Sequence, residues 1–162
     1  MMPGAEYGPA KQWPLEHFHS LAEQLVAEGY EIRVLGGPKD APAGEVICAG
    51  LSHAHNLCGR TRLADAVDLL ADCEQVVTND SGLVHVASAV GTRVHAIYGS
   101  SSPEYTPPLT SNARIHYLAL SCSPCFARDC PLGHTNCLKD ISPERMLDAI
   151  LPASPQVLTP AG

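Results

Sequence analysis

The sequence predicts an α/β fold, a Rossmann-like parallel sheet wound by helices on both faces, and three observations carry that expectation. Segments of helical period alternate with short runs of β-branched and aromatic residues along the chain. The joins between them are short turns rich in Gly, Ser, Asn and Asp. The 162 residues suit one domain large enough to bury a core, and an apolar content of 45% excludes wholesale disorder.

The elements follow in order. Residues 1–14 read as a loop, with Pro3, Gly4, Gly8, Pro9 and Pro14 crowded together. Leu15, Phe18, Leu21, Ala22, Leu25 and Val26 then follow the i, i+3, i+4 pattern of a helix that stops at Gly29. Tyr30 to Leu35 is a strand ending at Gly36-Gly37, and Val46 to Ala49 is a second, shorter strand candidate. Thr61 can cap a helix whose buried face is Leu63, Ala66, Val67 and Leu70. Gln75 to Thr78 is a strand, and Asn79-Asp80-Ser81-Gly82 turns the chain into a helix over Leu83 to Val90. Arg93 to Tyr98 and residues 113–120 are further strands. Ser142 caps a last helix with Pro143 at its first position and Met146, Leu147 and Ile150 on its apolar face. These elements fill residues 1–151, and residues 152–162 form a proline-containing tail expected to fray. Only Met1 and Met2 precede the opening loop, so the sheet is expected to lack its first strand.

Composition narrows the function classes. Lys and Arg number 10 against 17 Asp and Glu, a formal charge of −7, which argues against a nucleic-acid partner. No apolar run reaches the length of a transmembrane helix, and the first residues lack the pattern of a signal peptide. With seven cysteines favouring thiols or a metal over a disulfide framework, a cytoplasmic location is expected.

Ligands of open α/β sheets sit beyond the carboxyl ends of the strands, beside helix N-termini. Three segments fall there. In Pro3-Gly4-Ala5-Glu6-Tyr7-Gly8-Pro9-Ala10-Lys11-Gln12-Trp13-Pro14, glycines allow close backbone approach and Lys11 can meet a phosphate; a surface loop with a solvated lysine is the plainer alternative. In Thr78-Asn79-Asp80-Ser81-Gly82-Leu83-Val84-His85, the N–H groups of Ser81 and Gly82 open a helix and form an anion seat. Asp80 could equally be the N-cap, and His85 a packed core histidine. Tyr98-Gly99-Ser100-Ser101-Ser102-Pro103 is a binding lip or a plain turn. Trp13 reads as a packing residue before a stacking one, and His17 and His19 as boundary residues of the first helix. There is neither a G-x-G-x-x-G nor a Walker A sequence.

Together, Pro3 to Pro14, TNDSGLVH (Thr78 to His85) and YGSSSPEYTPPL (Tyr98 to Leu109) resemble the ADP-heptose:lipopolysaccharide heptosyltransferases of glycosyltransferase family 9, in particular the branch that adds the second heptose of the inner core. The likeness runs from Pro3 to about Leu151. It implies the C-terminal, nucleotide-sugar-binding half of a two-domain GT-B enzyme, with a strand leading into the opening loop. It implies that Lys11 contacts the diphosphate of ADP-heptose, that Ser81 and Gly82 seat it, and that Asp80 bonds sugar hydroxyls. His85 would lie close by, and Asp40 is a looser candidate for the ribose. No cofactor would be required for transfer, and no Asp-x-Asp metal motif occurs. The acceptor is the lipopolysaccharide core, reached at the inner face of the inner membrane. Its binding surface and the catalytic base belong to the other domain, so no catalytic residue is expected here, and the chain alone is expected to bind donor without transferring heptose. A non-enzymatic nucleotide-binding module is the alternative. The lost strand further implies self-association or low stability.

Cys122, Cys125, Cys130 and Cys137 form C-x2-C-x4-C-x6-C, with His134 among them. The spacing suits a structural zinc site, with a loop of free thiols as the alternative. Cys48, Cys58 and Cys73 read as small buried hydrophobes, and His53-Ala54-His55 as a weak metal pair.

Overall fold

The computed structural model describes residues 1–151. The expected tail at residues 152–162 lies outside the described residues. Five short parallel strands form among the described residues: β1 (Ile32–Val34), β2 (Ala54–Asn56), β3 (Gln75–Asn79), β4 (Arg93–Ile97) and β5 (Ala113–His116). Before, between and after them run α1 (Leu15–Ala27), α2 (Ala41–Cys48), α3 (Leu63–Ala71), α4 (Gly82–Ala89), α5 (Asn136–Lys139) and α6 (Pro143–Ile150).

β1 pairs with β2, and β3 with β4 and then β5. Met1 and Met2 join the two groups. The Met1 amino group donates to the Arg33 carbonyl at 2.6 Å, and the Leu35 N–H donates to the Met1 carbonyl at 2.9 Å. On the other side the Met2 N–H donates to the Val77 carbonyl at 2.9 Å, and Met2 bridges Thr78 in parallel. The order is therefore β2, β1, Met1–Met2, β3, β4, β5. Counting the methionine pair as the first strand position gives the 3-2-1-4-5-6 order of dinucleotide-binding folds. Met1 and Met2 hold the carboxyl end of that first position. The amino end is a cavity of about 470 Å³ whose lining includes Met1, Tyr30, Arg33, Asp72, Gln75 and Ile150.

Alternation along the strands feeds two cores. Val77 and Ile97 point to the face covered by α1, α2 and α6, with Phe18, Leu21, Ile47 and Met146. Val76, Val94 and Ala96 point to the face of α3 and α4, with Met2, Leu70, Val84 and Ala87. Buried sheet and helix faces on both sides are what a doubly wound parallel sheet requires.

Several sequence expectations are corrected. Val46 to Ala49 is not a strand, because Cys48 and the residues before it belong to α2, which has a proline in its first turn and buries Gly44 and Ile47. A short apolar run does not distinguish helix from strand, and the helical spacing of Gly44 and Ile47 decides here. The strand beside β1 is instead β2, on exposed or half-buried residues that carry little β signal. Thr61 does not cap α3. Arg62 holds the cap position, with its N–H donating to the Asp65 carboxylate at 2.8 Å. Leu63 faces solvent and Val67 is half-buried, so the buried face narrows to Ala66 and Leu70. The strands expected at 30–35 and 113–120 pair only over Ile32–Val34 and Ala113–His116. α6 starts as expected, the Ser142 hydroxyl accepting the Arg145 N–H at 3.3 Å. Cys58 is buried, whereas Cys48 and Cys73 are only half-buried. Among the described residues, no helix is long and apolar enough to cross a membrane.

Candidate functional site

β3 ends on Asn79, a fully buried polar residue that organises the loop opening the chain. Its amide oxygen accepts the Trp13 N–H at 3.0 Å, and its amide nitrogen donates to the Pro3 carbonyl at 2.6 Å. One side chain thereby grips both ends of the segment 3–14. Trp13 is packed in the core, and its indole N–H donates to the Ile141 carbonyl at 2.8 Å. Inside the loop a 3₁₀ turn, Pro9–Lys11, presents the lysine. Gly8 is required there, since a Cβ would lie 2.5 Å from the Arg128 carbonyl oxygen, the same oxygen that accepts the Ala10 N–H at 3.0 Å.

Lys11 Nζ meets Asp80 Oδ2 at 2.5 Å across the gap between this loop and the end of β3. The pair is largely removed from water, with side-chain exposures of 17% and 6%. The other Asp80 oxygen accepts the Thr106 hydroxyl at 3.3 Å. Lys11 Nζ also lies 5.3 Å from the Tyr7 ring centroid, and the Arg128 guanidinium 5.7 Å from it, so two cations share one ring. Beyond Asp80 the chain enters α4 with extended Ser81 at the cap position and no side chain satisfying the first N–H groups. A Cβ on Gly82 would meet nothing within 4 Å, so packing does not demand glycine and the helix start is open to a ligand.

The turn after β4 completes the site. Ser100 and Ser101 are buried, and their hydroxyls have no hydrogen-bond partner among the described residues. Such orphans are uncommon in a closed core and suit a site that expects ligand oxygens. The Tyr98 hydroxyl, its pKa pushed up by burial and next by the Asp80 charge, donates to the Thr106 carbonyl at 2.5 Å. Tyr7, Lys11, Ser101, Ser102, Tyr105, Thr106 and Phe126 enclose a cavity of about 270 Å³.

The structure unites Lys11 and Asp80. Ser81 and Gly82 follow directly at the start of α4, but do not line that cavity. Asp80 is not an N-cap: Ser81 is, and the aspartate binds lysine instead. His85 is exposed one turn along, which removes the packed-core reading. Asp40 accepts its own turn's Gly37 N–H at 2.8 Å and lies against Gly4 of the lysine loop. His53 and His55 are exposed, and among the described residues no three His, Cys, Asp or Glu side chains converge on a metal position. The sequence missed Asn79, Thr106 and Arg128 as site residues, because their partners lie far off along the chain. The triple-serine turn was its one signal for the orphaned hydroxyls.

Residues 1–136 match the family model Glycosyltransferase family 9 (heptosyltransferase). The chain belongs to glycosyltransferase family 9. Among its relatives in this family is lipopolysaccharide heptosyltransferase 2 of Salmonella typhimurium, 44% identical over 153 residues, which are 91% of this chain and 44% of the relative. The Escherichia coli protein of the same name gives the same values. The solved structure of E. coli ADP-heptose lps heptosyltransferase II superposes with a TM-score of 0.80, covering 91% of this chain and 43% of that one. E. coli heptosyltransferase WaaC with ADP shares the fold at 22% identity, with a TM-score of 0.74. This family 9 chain therefore spans less than half the length of the relatives it matches, and has the Rossmann-like fold of one half of a GT-B glycosyltransferase.

Proposed function

We propose that this chain is the donor-binding domain of a heptosyltransferase, holding ADP-heptose at the carboxyl ends of Met1–Met2 and β3. The observation that carries the reading is the buried Lys11–Asp80 pair, which joins the two loops at the point where the strand order reverses. Transfer from a nucleoside diphosphate sugar builds negative charge on the departing diphosphate. Lys11, the N–H groups of Ser81 and Gly82, and Arg128 beside Tyr7 are donors and charges suited to receive it. Asp80, released from Lys11, is an acceptor for a sugar hydroxyl, and the Ser100 and Ser101 hydroxyls supply further bonds. His85 and Asp40 flank this core of the site, Asp40 toward the ribose.

We assign the lipopolysaccharide core acceptor and the base that activates its hydroxyl to a further domain, so that residues 1–151 alone bind donor in the cytoplasm without transferring heptose. Titration calorimetry tests the binding: ADP-heptose and ADP bind at Lys11, while ATP and NAD bind at least about tenfold more weakly, a 1.4 kcal/mol preference. Equal binding of all four would mark a general nucleotide-binding module instead. Heptose transfer to a lipid A–Kdo acceptor by the chain alone would overturn the second half of the proposal.

A further inference from the structure

The cavity of about 270 Å³ at the candidate site is lined by two unlike sets of groups. One set is polar and includes Lys11, Ser101 and Thr106, with Ser101 buried and its hydroxyl unpaired among the described residues. The other is aromatic, made of Tyr7, Tyr105 and Phe126. Tyr105 is 77% exposed and Phe126 49%, and their rings meet edge to face with centroids 5.6 Å apart. Aromatic rings left together in water mark a surface that gains by being covered.

The backbone holds Phe126 there against its own preference. Phe126 is left-handed at φ 53°, a conformation that a bulky side chain rarely adopts. Two hydrogen bonds fix it, its N–H donating to the Ser100 carbonyl at 2.7 Å and its carbonyl accepting the Tyr7 hydroxyl at 2.7 Å. Both partners belong to the site, one to the turn after β4 and one to the lysine loop. Strain of this kind persists where the surroundings over-determine it, and its result here is an aromatic ring at the cavity instead of in the core.

The lining also selects the kind of ligand. A hydroxyl both donates and accepts, so the unpaired Ser101 hydroxyl matches ligand hydroxyls of the same dual character. A pyranose ring carries hydroxyls around its rim and weakly positive C–H groups on its faces, which rest well on the negative face of an aromatic ring. A purine would favour a parallel stack and an amide-like edge. The Tyr105–Phe126 pair is T-shaped, and no Asn or Gln is among the described residues that line the cavity. The Thr106 hydroxyl bonds Asp80, which holds Lys11, so the cavity adjoins the groups assigned above to the sugar hydroxyl and the diphosphate.

We propose that this cavity seats the sugar ring of the donor, with Tyr105 and Phe126 packing on its C–H face and the Ser101 hydroxyl bonding its rim. The two aromatic residues thereby set the preference for a sugar-bearing nucleotide over the bare nucleotide. The assignment to a donor sugar rests on the function proposed above.

Titration calorimetry on the full chain compares ADP-heptose with ADP. The unmodified protein is expected to bind ADP-heptose the more tightly. Tyr105→Ala and Phe126→Ala are expected to weaken ADP-heptose binding about tenfold and to spare ADP. Tyr105→Phe keeps the ring and is expected to keep the preference. Equal losses for the two ligands, or no loss for either, overturn the proposal. If Phe126→Ala fails to fold by circular dichroism, the exposed Tyr105 decides alone. Saturation-transfer NMR with free heptose reads the seat apart from the nucleotide, as transfer to the ring protons that is lost in Tyr105→Ala. Such transfer without ADP binding would defeat the donor function and leave the sugar seat standing. ADP binding with neither transfer nor a preference for ADP-heptose would do the reverse.

Discussion

The two ends of the strand position held by Met1 and Met2 differ in what fills them. At the carboxyl end, Asn79, Lys11, Asp80 and Thr106 interlock two loops through buried polar contacts around a cavity of about 270 Å³. At the amino end, the larger cavity of about 470 Å³ has Arg33 on its rim, paired outward to Glu31 at 3.0 Å and Asp72 at 2.7 Å, both exposed. Size therefore does not mark the site. Convergent polar groups do, because a buried polar atom persists only where something answers it.

Replacing the residue that builds the carboxyl end should show the largest effect. Asn79→Ala removes both anchors of the lysine loop and leaves the Trp13 N–H and the Pro3 carbonyl without partners, for an expected loss of about 2–3 kcal/mol in urea unfolding, with ADP binding lost alongside. Lys11→Ala should leave the fold in place by circular dichroism and weaken ADP binding about tenfold, roughly 1.4 kcal/mol, in calorimetry. An unchanged affinity would place the anion elsewhere.

A pH series probes a region common to both ends, the sheet itself. His95 and His116 stack on β4 and β5, with ring nitrogens 3.2 Å apart and His95 also bonded to Gln75 at 2.9 Å. Burial first, then neighbouring arginines and, for His116, His95 itself, push them down to about 4 and about 3. Their folded pKa values lie below the unfolded 6.5, so below pH 6.5 the unfolded chain takes up protons that the folded chain refuses. Stability should accordingly fall as pH drops from 6.5 toward 4, seen as a decreasing urea midpoint, and His116→Gln should flatten the slope. The smallest effect is expected at the amino end, where β1 and β3 have no strand between them. Weak, concentration-dependent self-association in sedimentation velocity is the expected outcome there. A clean monomer at all concentrations would show that this end closes without a partner.

What the sequence revealed follows the reach of its signals. α1 was legible from six apolar residues at helical spacing, and the start of α6 from Ser142-Pro143, because both signals are local. α2 and β2 were not, since β2 pairs through backbone and its three residues, half-buried or exposed, show no apolar alternation. At the site, Lys11 and Asp80 could be singled out as chemical types placed after strand positions, yet their pairing spans 69 residues and only the fold creates it. Asn79 sat within the quoted motif, but its two partners became visible only with the fold, and the same holds for Arg128 beside Tyr7.

The Lys11–Asp80 bond also cancels the lysine charge within the site. A lone anion that draws Lys11 away leaves Asp80 buried with little more than the Thr106 hydroxyl, which costs more than the new contact returns. A ligand that brings an anionic group for the lysine and, a few ångströms away, a hydroxyl for the aspartate satisfies both at once. In the proposed donor site the pair is expected to act as a coincidence test, with inorganic phosphate meeting one half of it and a phosphorylated sugar meeting both.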